Sequence, residues 1–384
     1  MKNPFIPHRL PINDLNFSKL IKLVSEASNA LARYNGVLSN IVNPSLLLTT
    51  LATKEAVLSS RIEGTQASFI DVLEKDLKKY DDNKKLDIEE VENCKKALEY
   101  GVAELKNKPI CLNLIKQMHS ILLDSVRGYN KDRGSFRKIQ NFIGFEGAKI
   151  EQAYYIPPSS DPLDNVMMNA LTEWEKYIHL ESEETLIQLA IMHAQFEIIH
   201  PFLDGNGRIG RILIPLFLHD KKYIDFPAFY MSEYLESHRS EYYVRLRNIS
   251  DNNDWQGWIE FFLRAIIKQS HISLYRASQI VYLYNFMKDS PDMRVSTYHF
   301  NDIINFIFKK PVFTALDLCN MDEIATLKPS KSTIIRALDK MSSETYSHSS
   351  IADGKQLIHK TNGSGAKPTT YRFTALLNII ENKN

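Results

Sequence analysis

From Phe17 to Tyr34 apolar residues recur at helical spacing (Leu20, Ile21, Leu23, Val24, Ala27, Ala30, Leu31), predicting a helix that Asn35-Gly36 ends. Asn43-Pro44 marks the next start, since proline in a first turn lacks only an N–H that has no intrahelical acceptor. This second helix is predicted to run through Leu58 and to stop near Gly64, a residue suited to a left-handed terminus. The charged run from Lys75 to Glu92 reads as a solvated helix face or a connection, and helices fit Val91 to Leu105 and Leu112 to Leu123. Between Gly128 and Ser160 the pattern changes. Phe136, Ile139, Phe142, Ile143, Tyr154, Tyr155 and Ile156 alternate with polar residues until Pro157-Pro158, predicting a β-hairpin or extended flap. Helices resume over Asp164 to His179 and Glu183 to His200. The second is apolar on nearly every face, as a helix in the middle of a bundle must be. Arg208 to His219, Ser237 to Ile249 and Trp255 to Tyr284 complete the helical part.

From about Lys310 the texture differs again: helices at Thr314 to Cys319 and Ser330 to Met341, then strands at Ser347 to Ile351, Gln356 to Lys360 and Thr370 to Phe373. Two helices followed by a hairpin is the winged-helix order. The reading is therefore mainly α, a helical bundle with a β-hairpin flap and a small C-terminal α+β winged-helix domain. Its expected parts are an N-terminal helical region (1–105), a core (106–270), a helical linker (271–309) and the winged helix (310–384).

Composition narrows this picture. At 384 residues and 44% hydrophobic content the chain has material for two or three domains. A net charge of +1 excludes a polyanion-coating protein, and the last 75 residues carry ten Lys/Arg against seven Asp/Glu, a small excess for a DNA-binding face. The apolar stretch Ile212 to Leu218 is too short for a bilayer, so no membrane partner is expected, and Met1 to Leu10 shows no secretory h-region. Cys94, Cys111 and Cys319 are widely spaced and lack C-x-x-C, which suits free thiols in a reducing cytoplasm.

The chemistry concentrates in His200-Pro-Phe-Leu-Asp204-Gly-Asn206-Gly-Arg208-Ile-Gly-Arg211, between two predicted helices. Glycines and an asparagine permit the φ > 0 bends that turn consecutive N–H groups onto one oxyanion. The start of the next helix adds its positive dipole end, and Arg208 and Arg211 add forked donors. Asp204 beside such a nest would repel phosphate unless a divalent cation lay between, which assigns it to Mg2+. His200 at the rim is placed to take a proton from an incoming hydroxyl. The embedded Gly205-x-Gly207-x-x-Gly210 is not a dinucleotide fingerprint, because no βαβ unit surrounds it, and no Gly-Lys-Ser/Thr follows to make a P-loop. His193, Glu197 and His200 lack the H-E-x-x-H order of a zinc site, so His193 reads as a hydrogen-bonded interior histidine. A plain turn between helices needs neither the twin arginines nor the aspartate.

These twelve residues resemble the signature of Fic proteins, H-P-F-x-[D/E]-G-N-G-R-x-x-R, at every position, and the likeness extends to Gly134-Ser-Phe-Arg137, Ile156-Pro-Pro158 and the winged-helix tail. Fic enzymes typically move AMP from ATP to a Ser, Thr or Tyr hydroxyl of a protein. The resemblance implies His200 as general base, Asp204 as holder of Mg2+ against the α- and β-phosphates, and Gly205, Asn206 and Gly207 as the anion nest with the Asn206 amide on the α-phosphate. Arg208 and Arg211 would take the β/γ end, Gly210 would belong to the same nucleotide-binding stretch, and Tyr242 and Tyr243 match nucleoside-contacting tyrosines, unless they simply pack a helix. Gln152, Ala153, Tyr154 and Tyr155 match the flap that clamps a target peptide by strand addition.

Glu63, in the sequence Ser59-Ser-Arg-Ile-Glu63-Gly64, lies in the last turn of a predicted helix, where the dipole disfavours an anion by roughly 0.3–1 kcal/mol. Arg61 is two positions away and does not face it. The segment resembles the [S/T]-x-x-x-E-[G/N] inhibitory motif of Fic proteins, here ahead of the signature. That implies a Glu63–Arg211 pair blocking the γ-phosphate position in the nucleotide site, with Ser59 and Gly64 fixing the turn. The resemblance also implies a protein partner with an acceptor hydroxyl, with self-modification among the targets. Removal of AMP, another nucleotide donor, and a DNA-binding regulator whose core only senses nucleotide stay open. Lys331, Arg336 and Lys340 are the residues that would reach DNA phosphates in the last case.

Overall fold

The computed structural model describes residues 3–381 except 41–43, 127–130, 146, 182–183, 290–299, 321–330, 344, 347–354, 362 and 364–367. In chain order the elements are α1 (Phe17–Ser39), α2 (Pro44–Ile62), α3 (Phe69–Leu73), α4 (Asp82–Glu104), α5 (Leu112–Leu122), α6 (Val166–Ile178), α7 (Thr185–Ile199), α8 (Asn206–Asp220), α9 (Ser232–Ser237), α10 (Arg239–Asn252), α11 (Trp255–Asp289) and α12 (Phe300–Lys309). There follow β1 (Val312–Thr314), α13 (Ala315–Cys319), α14 (Lys331–Ser343), β2 (Thr345–Tyr346), β3 (Lys355–Gln356), β4 (His359–Thr361), β5 (Thr370–Arg372) and α15 (Thr374–Glu381). Two compact units result: Met1–Asn35 with Glu55–Ser68 and Tyr80–His271, and Gly36–Lys54 with Phe69–Lys79 and Ile272–Asn384. Among the described residues no helix is long and apolar enough to cross a membrane.

The first unit is built around α7, which packs against α6, α8 and α10. Its apolar side chains are buried on all sides, and neighbouring tryptophans bond to its backbone carbonyls: Trp174 Nε1–H to Met192 (2.8 Å) and Trp258 Nε1–H to Ala190 (2.8 Å). The Glu184 carboxylate caps its first turn by accepting from the Leu186 and Ile187 N–H groups. Helices α4 and α5 pair with each other and both reach α8.

Two sequence expectations change here. Asn35-Gly36 does not end α1. Gly36 stays helical, and the helix ends where the Asn40 amide donates to the Gly36 carbonyl (2.6 Å). The Asn35 amide meanwhile bonds Asp225 instead of turning its own backbone. Nor is the Lys75 to Glu92 run only solvated. Asp87 and Glu90 on α4 are buried, Asp87 accepting from the Gln66 N–H (2.9 Å) and Glu90 from the Thr65 hydroxyl (2.8 Å), so both tie down the segment after α2.

In the second unit β1, β5 and β4 form an antiparallel sheet in that order, with Phe313 opposite Tyr371 and Lys360 opposite Tyr371. Thr314 caps α13 in a reciprocal box with Asp317. The strand expected at Ser347 to Ile351 lies outside the described residues; that at Gln356 to Lys360 divides into β3, paired with β2, and β4. Strand β1 and helix α15 were not expected. All three β1 residues are buried, so the strand shows no polar alternation to read.

Candidate active site

Helix α7 ends at Ile199, and His200 follows it with φ +50° and ψ +59°. A left-handed conformation is uncommon for a non-glycine residue and costs on the order of 1–3 kcal/mol unless its surroundings impose it. Arg137 imposes it here. This buried side chain donates from Nε to the His200 carbonyl (2.9 Å) and from Nη2 to Pro158 (2.6 Å), while its backbone N–H bonds the Pro201 carbonyl (2.9 Å). One guanidinium thus fastens the end of α7 to the Ile156-Pro-Pro158 segment. Burial lowers its pKa only to about 10, so it stays charged at neutral pH. Arg137→Ala would strand these carbonyls and is expected to cost about 3 kcal/mol or more, read as a lowered Tm. Arg137→Lys is not expected to restore it, because the bonds need a planar fork.

The half-buried His200 ring places Nδ1 3.3 Å from the Glu197 carbonyl. A carbonyl only accepts, so Nδ1 carries the proton and Nε2 keeps its lone pair. Burial pulls the His200 pKa down to about 4, leaving a neutral base at pH 7.

Gly205, with φ +75°, starts α8, and a Cβ there would lie 2.9 Å from Leu122 Cδ2. The first intrahelical bond runs from Ile209 N–H to the Gly205 carbonyl (3.1 Å), so the N–H groups of Asn206, Gly207 and Arg208 have no acceptor within the helix. The Asn206 side chain closes the preceding loop through Phe202, accepting from its N–H and donating to its carbonyl (2.8 Å each). The backbone N–H of Asn206 is thus the amide left for an anion. Arg208 is almost fully buried, and its Nε and Nη1 have no hydrogen-bond partner, while Nη2 lies 3.3 Å from Asp204 Oδ1. Unpaired guanidinium donors at a helix start form a strong anion site.

Arg211 is 1% exposed and faces α2, donating from Nε to the Ser59 hydroxyl (2.9 Å) and from Nη2 to the Ser59 carbonyl (2.9 Å) and to Glu63 Oε1 (2.6 Å). Burial alone would push the Glu63 carboxyl up, but the Arg211 guanidinium overrides it and holds Glu63 below its usual range. Gly64, at φ +102°, ends the turn beyond Glu63. A Cβ on Gly207 would sit 2.3 Å from Glu63 Oε1, so the carboxylate rests directly on the helix start.

Asp204 accepts from the Gly205 N–H through Oδ1 (2.7 Å) and from Lys131 Nζ through Oδ2 (2.8 Å). Despite partial burial, Lys131 first and Arg208 next keep its pKa below the usual value. Two expected nucleotide residues face elsewhere. Gly210 packs under Glu197, where a Cβ would lie 2.2 Å from Oε1, and its carbonyl accepts from His193 Nδ1 (3.2 Å). Tyr242 is buried with its hydroxyl on His193 Nε2 (2.9 Å), so core packing describes it, while Tyr243 is 43% exposed. Among the described residues the expected flap hairpin is narrower than foreseen, an antiparallel bridge between Ile143 and Tyr155 with a 3-10 turn at Ile150–Gln152. Along it Ala153 is buried and Tyr154 exposed, while the Tyr155 hydroxyl is pinned to the Ile198 carbonyl (2.8 Å).

Family models match this architecture in two adjoining blocks, Fic/DOC family N-terminal over residues 21–103 and Fic/DOC family over residues 109–218, together half of the chain. The chain belongs to the Fic/DOC family. The second block contains His200 and the α8 nest, and the first contains Glu63. Two similar Fic proteins are the Protein adenylyltransferase Fic of Drosophila virilis, 27% identical over 48% of this chain and 34% of that one, and its namesake in Nematostella vectensis, 27% identical over 51% and 42%. The chain thus spans well under half the length of these relatives. A Fic family protein from Desulfovibrio desulfuricans G20 shares the fold at a TM-score of 0.55 and 18% identity, over 97% of this chain and 98% of that one.

Sequence reasoning passed over two residues of this Fic site. His119 on α5 is fully buried and stacked on Phe202 (3.7 Å between centroids); Nδ1 accepts from the Gly134 N–H (3.0 Å) and Nε2 donates to the Asp204 carbonyl (3.0 Å). Lys131 is the other. A histidine on an apolar helix face and a lysine in a polar loop carry no pattern that betrays such contacts.

Proposed function

We propose that this site transfers AMP from ATP to a hydroxyl of a protein side chain, and that Glu63 holds it inhibited. The N–H groups at the start of α8 and the unpaired donors of Arg208 would bind the phosphates. The hydroxyl oxygen of the target would attack the α-phosphorus as its proton passes to His200 Nε2, and pyrophosphate would leave. Such chemistry asks the protein chiefly for positioning and charge neutralisation, which is what these groups supply. The names of the curated relatives support the same reaction. The observation that carries the reading is an imidazole held through Nδ1 on the Glu197 carbonyl, at the rim of an anion nest whose buried Arg208 donors are unpaired.

Asp204 is the residue that would hold Mg2+. A single half-buried carboxylate beside a phosphate bed fits an ion that takes one or two carboxylates and completes its shell with water and phosphate oxygens. The ion would supply charge neutralisation to the triphosphate.

Arg211 would serve the γ-phosphate, and Glu63 takes that guanidinium first. Tyr154, exposed on the flap and under Arg247 (5.4 Å), is the residue we assign to the target segment. Self-modification is part of the proposal. In the second unit, the order α13, α14, β4, β5 supports a winged helix that docks a protein or DNA; a salt-dependent gel shift with duplex DNA separates these partners. Three free cysteines suit a reducing compartment such as the cytoplasm. The test is incubation of the full chain with α-labelled ATP and Mg2+. Label on protein, stronger with Glu63 replaced, is expected; label from γ-labelled ATP instead would overturn AMP transfer.

A further inference from the structure

We infer that Lys131 is a tethered cation that competes with a divalent metal ion for Asp204, and so sets how much metal the site requires. The inference rests on the assignment of Asp204 as the metal-holding carboxylate. Oδ1 of Asp204 is committed to the Gly205 N–H (2.7 Å) and to Arg208 Nη2 (3.3 Å). Oδ2 is the oxygen left for a cation, and Lys131 Nζ stands on it at 2.8 Å. A divalent ion on the same oxygen would lie within a few ångströms of the ammonium, and two positive charges that close repel. One must yield.

Lys131 is not a lysine that happens to drift over a carboxylate. Its loop is bolted to the loop of Asp204 by one imidazole: His119 takes the Gly134 N–H on Nδ1 and gives its Nε2 proton to the Asp204 carbonyl, 3.0 Å each. The ring is fixed in turn by stacking on Phe202. Within the loop, Ser135 N–H bonds the Asp132 carbonyl (2.9 Å), and Arg133 pairs with Asp124. The backbone that carries Lys131 is therefore positioned by the same residue that positions Asp204.

The strength of the pair decides its role. The Lys131 side chain is half exposed and Asp204 partly so. Ion pairs of this kind are weak, so the lysine tunes metal binding and does not forbid it. Lys131 is thus a positioning residue that acts through Asp204.

The experiment measures enzyme-bound Mn2+ by water-proton relaxation, with the full chain titrated in the presence of ATP. Lys131→Met is expected to bind Mn2+ about two- to fivefold more tightly than wild type. Lys131→Arg, which keeps the charge, is expected to stay near wild type, and Asp204→Asn to lose the site. Asp204-dependent Mn2+ binding of equal affinity in wild type and Lys131→Met would overturn the competition and leave the metal assignment standing. A relaxation signal indifferent to Asp204→Asn would overturn the assignment itself, and the inference with it.

Discussion

Glu63→Gly is expected to raise AMP transfer by roughly 10- to 100-fold. The estimate follows from a charge-assisted hydrogen bond worth about 1.5–3 kcal/mol, at about 1.4 kcal/mol per tenfold in rate. In the wild-type chain the Glu63 carboxylate sits 2.6 Å from Arg211 Nη2, and the remaining Arg211 bonds go to Ser59. A γ-phosphate must displace Glu63 before it can use that guanidinium. Glycine at this position removes the competitor and is tolerated at a helix end, and Ser59 still holds Arg211 in place. Initial rates of transfer from α-labelled ATP, with Tm measured alongside, check the expectation. Equal rates from variant and wild type, both folded, would remove Glu63 from regulation.

His200→Ala in the Glu63→Gly background is expected to lose at least a hundredfold, and up to roughly 10,000-fold, of the transfer rate, the usual worth of a positioned general base. Nucleotide affinity is expected to change little, because the phosphates are assigned to α8 and the arginines. The loss should fall on kcat. The pH profile carries a second expectation. His200 acts as a base only when neutral, and burial lowers its pKa to about 4. For a depressed pKa the active form persists as pH falls below the ordinary histidine value of about 6.5 and is lost only near 4. kcat/KM of Glu63→Gly should therefore hold its value at pH 5.5. A fall by half near pH 6.5 would show an ordinary exposed imidazole and contradict the buried geometry.

Much of this site was legible in the chain because its parts are contiguous. His200 to Arg211 is one turn between two helices, and a bend of glycine and asparagine followed by arginine has few physical uses. Glu63 was legible for a different reason, a carboxylate in a helix end that disfavours it, and the folded chain seats it on the arginine 148 residues away that the resemblance implied. What was missed depends on distance in sequence. His119 and Lys131 act on the Asp204 carbonyl and carboxylate, 85 and 73 residues further on. No local spacing encodes such partners. Tyr242 and Gly210 show the reverse case. Both stand on the expected helices, but their faces are fixed by His193 and Glu197, which pack behind them. Asn35-Gly36 looked like a helix stop, yet a buried Leu38 downstream favours one more turn over the local preference.

The most direct measurement uses Glu63→Gly and the double variant Glu63→Gly/His200→Ala, each incubated with Mg2+ and ATP labelled on either the α- or the γ-phosphorus. Transfer of α-label to protein by the first, its disappearance in the second and no γ-label in either is the expected result. Protein labelled by γ-phosphate, or α-label that survives loss of His200, would mean that this rim histidine and its anion nest do not transfer AMP.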